Sequence, residues 1–131
     1  METQNDIRSM DDVIKLVDIF YGKVREDELI GPIFEAKIQD NWAKHLNIMY
    51  RFWGTVLLEE RSYFGSPFLK HVDLPVEGAH FDRWLHYFDE TLDELFAGPK
   101  AEEAKYRARK MAEMFQFKLE HIRKTGNKPL K

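Results

Sequence analysis

Between Asn41 and Leu58 the sequence NWAKHLNIMYRFWGTVLL sets its large residues at Trp42, His45, Leu46, Met49, Phe52, Trp53, Val56 and Leu57. Spacings of three and four residues place them on one face of an amphipathic helix. That face is broad, largely aromatic, and has to be buried. His45 is its exception. Between Trp42 and Met49 its imidazole points inward, where a polar group without a partner costs about 1–3 kcal/mol. Either it is a core histidine bonded to a nearby carbonyl, or the stripe lines a pocket and His45 faces a ligand.

At 131 residues the chain suits a single domain spanning 1–131, with frayed ends at 1–10 and 125–131. Aromatic residues make up 14% of it, a load that calls for a wide flat surface to pack against. The absence of cysteine removes disulfides, thiolate metal sites and a cysteine nucleophile, and fits a reducing compartment. The N-terminal METQNDIRSMDD is acidic and polar, unlike a secretory signal or transit peptide. No apolar run approaches the ~18 residues of a membrane span. The formal net charge is −3 and the basic residues are scattered, which argues against nucleic acid as a partner. The expectation is a soluble cytoplasmic domain.

Ser9 and Asp12 resemble a capping box that opens a first helix, carrying Val13, Leu16, Val17, Phe20, Tyr21 and Val24 inward. Gly31-Pro32 breaks the pattern, leaving room for a short turn or helical stub over Leu29–Phe34, with Phe34 pointing in. After the aromatic helix, Gly65 and Ser66-Pro67 predict a loop and a helix of about two turns that stops at Leu74-Pro75 and holds His71 in its last turn. So short a helix is marginal in water and must be held by packing or by a bond. Gly78 precedes a long helix with Phe81, Trp84, Leu85, Phe88, Leu92, Leu95 and Phe96 inward, ended by Gly98-Pro99. A last helix, from about Lys100 to Lys124, faces in with Ala104, Ala108, Met111, Phe115, Leu119 and Ile122. Strand-like alternation is missing, so the class is all-α.

Nucleophilic catalysis has little support: Ser9, Ser62 and Ser66 read as cap or loop residues, and no Gly-rich phosphate loop is present. Asp89, Glu90, Asp93 and Glu94 read as a solvated helix face. His80 and His86 read as surface residues, and His121 suits a helix C-terminus. There remain His45, His71, Tyr21 and Trp84, four polar-tipped residues on four elements, all aimed into an aromatic core. Four separate structural hydrogen bonds would satisfy them. A haem accounts for them together, being flat, mainly apolar, and in need of one axial histidine. Its open position takes a diatomic ligand whose partial negative charge inward O–H and N–H groups stabilise.

The segments IFYGKVREDELIGPIF, WAKHLNIMYRFW, GSPFLKHVDLP and HFDRWL, in this order, resemble the truncated haemoglobins of the third group from about Val13 to Leu119. The resemblance implies a globin-like, two-over-two α-helical sandwich around haem b. It makes His71 the iron ligand and Tyr21, His45 and Trp84 the distal polar residues. Phe20 and Phe34 match apolar wall positions, while Met49, Phe52 and Trp53 match haem-facing positions of the pocket helix. Met49 stands where a branched aliphatic residue is expected, which alters the pocket's shape. Lys44 and Lys70 adjoin the key histidines, but exposed lysines are common and neither is assigned to the propionates. The implied function is reversible binding of O₂, NO and CO at a five-coordinate iron, for oxygen transport or low-oxygen handling. The alternatives are peroxidase-like or NO-detoxifying turnover served by a reductase, and a cofactor-free helical interaction module.

Overall fold

The computed structural model describes residues 4–59 and 76–125, and every element in them is helical: α1 Met10–Glu26, α2 Gly31–Ile38, α3 Trp42–Leu58, α4 Gly78–Leu95 and α5 Pro99–Thr125. The short helix expected around Ser66–Leu74, with His71, lies outside the described residues. Helix α1 packs on both α3 and α4, and α4 pairs with α5. The stripe read for α1 is the buried one, Val13, Leu16, Val17, Phe20, Tyr21 and Val24. Its start differs from expectation. The Ser9 side chain makes no cap, and Asp12 instead accepts the backbone N–H of Arg8 at 2.8 Å. Among the described residues, no helix is long and apolar enough to cross a membrane.

Helix α2 is a true two-turn helix, longer than the stub expected. Pro32 in its first turn has no N–H to satisfy, and the preceding corner is built by Asp27. The Asp27 carboxylate is buried and accepts the backbone N–H groups of Leu29 and Ile30, both at 2.9 Å. Its other oxygen accepts from Arg83 Nη1 and the Tyr87 hydroxyl of α4, both at 2.6 Å. Burial alone raises its pKa, but the Tyr87, Ile30, Arg83 and Leu29 donors outweigh it and hold the carboxyl at about 2. Gly31 is required here by close approach, since a Cβ would lie 2.9 Å from the Arg25 carbonyl oxygen.

Residues 4–10, expected to fray, are stitched to the α4–α5 corner. Gln4 Nε2 donates to the Asp93 and Glu94 carbonyls at the end of α4, Asn5 accepts the Ala97 N–H, and Ile7 is buried. Asp6 accepts the N–H groups of Lys100 and Ala101, each at 2.9 Å. Gly98 precedes α5 with no side chain to cap it, so the Asp6 carboxylate does that work from across the chain. Burial pushes Asp6 up, while the Lys100, Ala101 and Ile7 N–H groups and the Lys100 charge bring its pKa down below the ordinary value.

Two outcomes test these corners. Gly98 has φ +143, and a Cβ there would lie 2.6 Å from Asp6 Cγ. Gly98→Ala should therefore cost about 1–3 kcal/mol in urea unfolding; unchanged stability would mean that the corner is not held as described. For Asp27, the folded pKa of about 2 lies below the ordinary 3.8, so its stabilisation is complete above pH 3.8 and lost as pH falls through 2. That loss is on the order of 2 kcal/mol, and acid unfolding of Asp27→Asn should lack it.

Candidate functional site

The buried side chains form two clusters. The larger joins α1, α3 and α4 around Phe20, Trp53, Phe88 and Leu92, and the smaller joins Val76, Phe81, Ala112, Phe115, Leu119 and Ile122. Between them lies a cavity of about 360 Å³, walled by residues of both. That is within the roughly 300–1,000 Å³ of small-molecule sites.

Helix α3 explains how the sequence leaves this space. Its inward face has two edges. Trp42, Trp53 and Leu57 are buried, while His45, Ile48, Met49 and Phe52 are half-buried and line the hollow. Helix α2 brings Ile33, Phe34 and Lys37 to it, α4 brings His80, Phe81 and Trp84, and α5 brings Met111 and Phe115.

Tyr21, His45 and Trp84 all reach the wall of the cavity. The Tyr21 ring is 4% exposed and meets His45 edge-on at 5.1 Å, Phe34 at 5.7 Å and Trp42 at 6.0 Å between ring centres. Burial raises the Tyr21 pKa far above the ordinary phenol value, with a hydrogen bond from Trp84 pulling the other way. The phenol therefore stays protonated. An indole N–H can only donate and a phenol can both donate and accept, so both side chains bring donors to this wall.

Phe34, Met49 and Phe52 line the cavity, whereas Phe20 and Trp53 sit one layer behind it. Phe20 backs Tyr21 at 4.9 Å and Trp84 at 5.3 Å, and Trp53 stacks on Phe88 at 4.8 Å. His80, read from sequence as a surface residue, is on the cavity wall. Its Nδ1 accepts the Glu77 N–H at 2.9 Å while the Glu77 side chain accepts the His80 backbone N–H, a capping box that opens α4. The Glu77-x-x-His80 spacing ahead of α4 was the available signal. The acidic face of α4 is largely solvated, with Glu90 and Glu94 paired to Lys23 at 3.1 and 3.0 Å and Asp93 paired to Lys105. Asp89 is the exception: it is half-buried, and desolvation pushes its carboxyl up.

A flat apolar group with one polar-facing side fits this cavity, whose lining is mostly aliphatic and aromatic with its phenol, imidazole and indole on neighbouring parts of the wall. The sequence matches the bacterial-like globin family model over residues 5–120. It is 36% identical over 112 residues to the group 3 truncated hemoglobin ctb of Campylobacter jejuni, covering 82% of this chain and 88% of that protein. The chain belongs to the group III truncated haemoglobins.

The fold agrees. The crystal structure of the group III truncated hemoglobin from Campylobacter jejuni superposes with a TM-score of 0.81 at 34% identity, covering 89% of this chain and 95% of that one. The group 2 truncated hemoglobin YjbI of Bacillus subtilis is a more distant relative, 26% identical over 83 residues and 62% of each chain. The architecture of this globin is thus the truncated, two-over-two α-helical sandwich. Membership implies a haem cofactor, and globins bind diatomic gases.

Proposed function

We propose that this truncated haemoglobin reversibly binds O₂, and with it NO and CO, at a b-type haem seated between its two hydrophobic clusters. The observation that carries this reading is the convergence of Tyr21, His45 and Trp84, from three helices, on the wall of an apolar cavity. When bound, the haem supplies an iron with one open coordination position. His71 would hold the iron through a neutral imidazole nitrogen. Phe34, Met49 and Phe52 would exclude water from the opposite side, with Phe20 and Trp53 behind that wall. Tyr21 would offer its O–H to the gas molecule, and Trp84 and His45 would offer further N–H donors at the same place. In a dry pocket such donors act at low dielectric, where they favour a ligand that gathers negative charge over one that stays neutral. The setting is the cytoplasm, with oxygen transport or low-oxygen handling as the role.

The same donor density supports a second reading. Donors aimed at a diatomic can also polarise an O–O bond, giving peroxidase-like turnover or NO detoxification with an electron-supplying reductase as partner. Rates separate the two. Slow O₂ release with rapid NO or peroxide consumption favours the enzyme, and ordinary O₂ exchange with slow turnover favours the carrier.

Absorption spectra of the purified protein, reduced and oxidised, with and without CO, test the haem site itself. A five-coordinate ferrous form that shifts on CO is expected; failure of the folded protein to take up haem would overturn the reading. His71→Ala should lose haem or its imidazole-bound spectrum, and an intact spectrum would place the axial ligand elsewhere. Tyr21→Phe should speed O₂ dissociation by about tenfold, the equivalent of roughly 1.4 kcal/mol, in stopped-flow measurements. A parental off-rate would remove Tyr21 from the ligand's side.

A further inference from the structure

The Trp84 indole is carried by α4, where it lies flat on the buried Phe88 at 5.2 Å and 8°, and it stands edge-on to Phe20 of α1 at 5.3 Å. Its place beside Tyr21 therefore follows the placement of α4 against α1. Two polar ties join these helices. Lys23 reaches Glu90 and Glu94, whose side chains are 43% and 52% exposed, and solvated pairs of that kind hold little. Asp27 is different. Its carboxylate is 3% exposed and grips Arg83 and Tyr87, which bracket Trp84 in sequence, while its second oxygen is fixed by the backbone of Leu29 and Ile30. The same corner leads back along α1 to Tyr21 and forward into α2 with Phe34.

We propose that Asp27 is a positioning residue for the cavity: by clamping Arg83 and Tyr87 to the α1–α2 corner it fixes where the Trp84 indole stands on the wall beside Tyr21. Asp27 does not line the cavity and acts through α4. Loss of the clamp lets α4 shift, moves the Trp84 indole relative to a bound ligand, and leaves the opposite side unchanged. The inference rests on the haem reading only for its ligand readouts.

The test compares Asp27→Asn and the double variant Arg83→Gln/Tyr87→Phe with the parent as haem-loaded CO complexes, with Lys23→Gln as the control for the exposed tie. The double variant keeps the backbone cap at Leu29 and Ile30, so it separates positioning from corner stability. Both clamp variants should raise the C–O stretching frequency or split the band, and should change ligand dissociation by about fivefold, the worth of one hydrogen bond of roughly 1 kcal/mol. Their unliganded ferrous spectra, and every readout of Lys23→Gln, should match the parent. Parental C–O bands in the double variant overturn the proposal, whether Asp27→Asn folds or not, because the effect would then run through the corner alone. A Lys23→Gln band shifted as far as the clamp variants' overturns it too, since any α1–α4 tie would serve. Should the parent take up no haem, the haem reading fails separately. The Trp84 indole N–H resonance of the full chain as purified then decides: it should move in both clamp variants and stay in Lys23→Gln, and a stationary Trp84 resonance in the clamp variants overturns the clamp.

Discussion

A core divided by a hollow is the constraint on which the rest of this structure depends. In a chain of this size, hydrophobic burial and conformational entropy nearly cancel. Leaving apolar walls unpacked forfeits the contacts that close packing supplies. Here the walls come from both hydrophobic clusters, with Phe34 packed on the larger, Ile33 and Phe115 on the smaller, and Met111 touching both. On the proposed reading a flat apolar cofactor would lie against both clusters at once, and its binding free energy would add to the stability of the folded chain.

What keeps the hollow open is the stiffness of the frame, and two carboxylates supply much of it. Asp27 and Asp6 do related jobs at opposite corners: each accepts two successive backbone N–H groups at the start of a helix whose N-cap has no side chain that caps it. Both are held ionised because the donors around them outweigh the cost of burial. A larger fold could set these corners with additional packed helices. In this one, local hydrogen bonding with sharply defined geometry replaces packing area, which is why single glycines at Gly31 and Gly98 have no room for a methyl group.

Much of this was legible in the sequence because helical periodicity is a local property. The stripes of α1, α3, α4 and α5 were readable as inward faces, and Tyr21, His45 and Trp84 stood out because each is an inward polar group on such a face. Less readable was which edge of a broad stripe meets solid core and which meets the hollow. Phe20 and Trp53 look no different in sequence from Phe34 and Phe52, yet the first two sit behind the wall. His80 was hidden for another reason: its neighbours on α4 are charged, and only the box it forms with Glu77 turns its ring back along the helix. The clamp at Asp27 and the cap at Asp6 join residues separated by 56 to 95 positions, and no periodicity records such pairs.

The direction of donation also bears on the choice between carrier and catalyst. Trp84 can only give a proton, Tyr21 can give one while accepting another, and both stand on the cavity wall. Burial prevents the phenol from ionising near neutral pH, which makes Tyr21 a poor proton acceptor and a steady donor. Stabilising a bound diatomic needs only that steady donation. Cleaving an O–O bond also needs a group that takes up and returns protons during each cycle, and histidine is the residue type on this wall whose ordinary pKa suits that work, at His45, 5.1 Å from the Tyr21 ring, and at His80. The two proposed readings therefore draw on different side chains: ligand retention would rest on Tyr21 and Trp84, and turnover on a histidine of the wall.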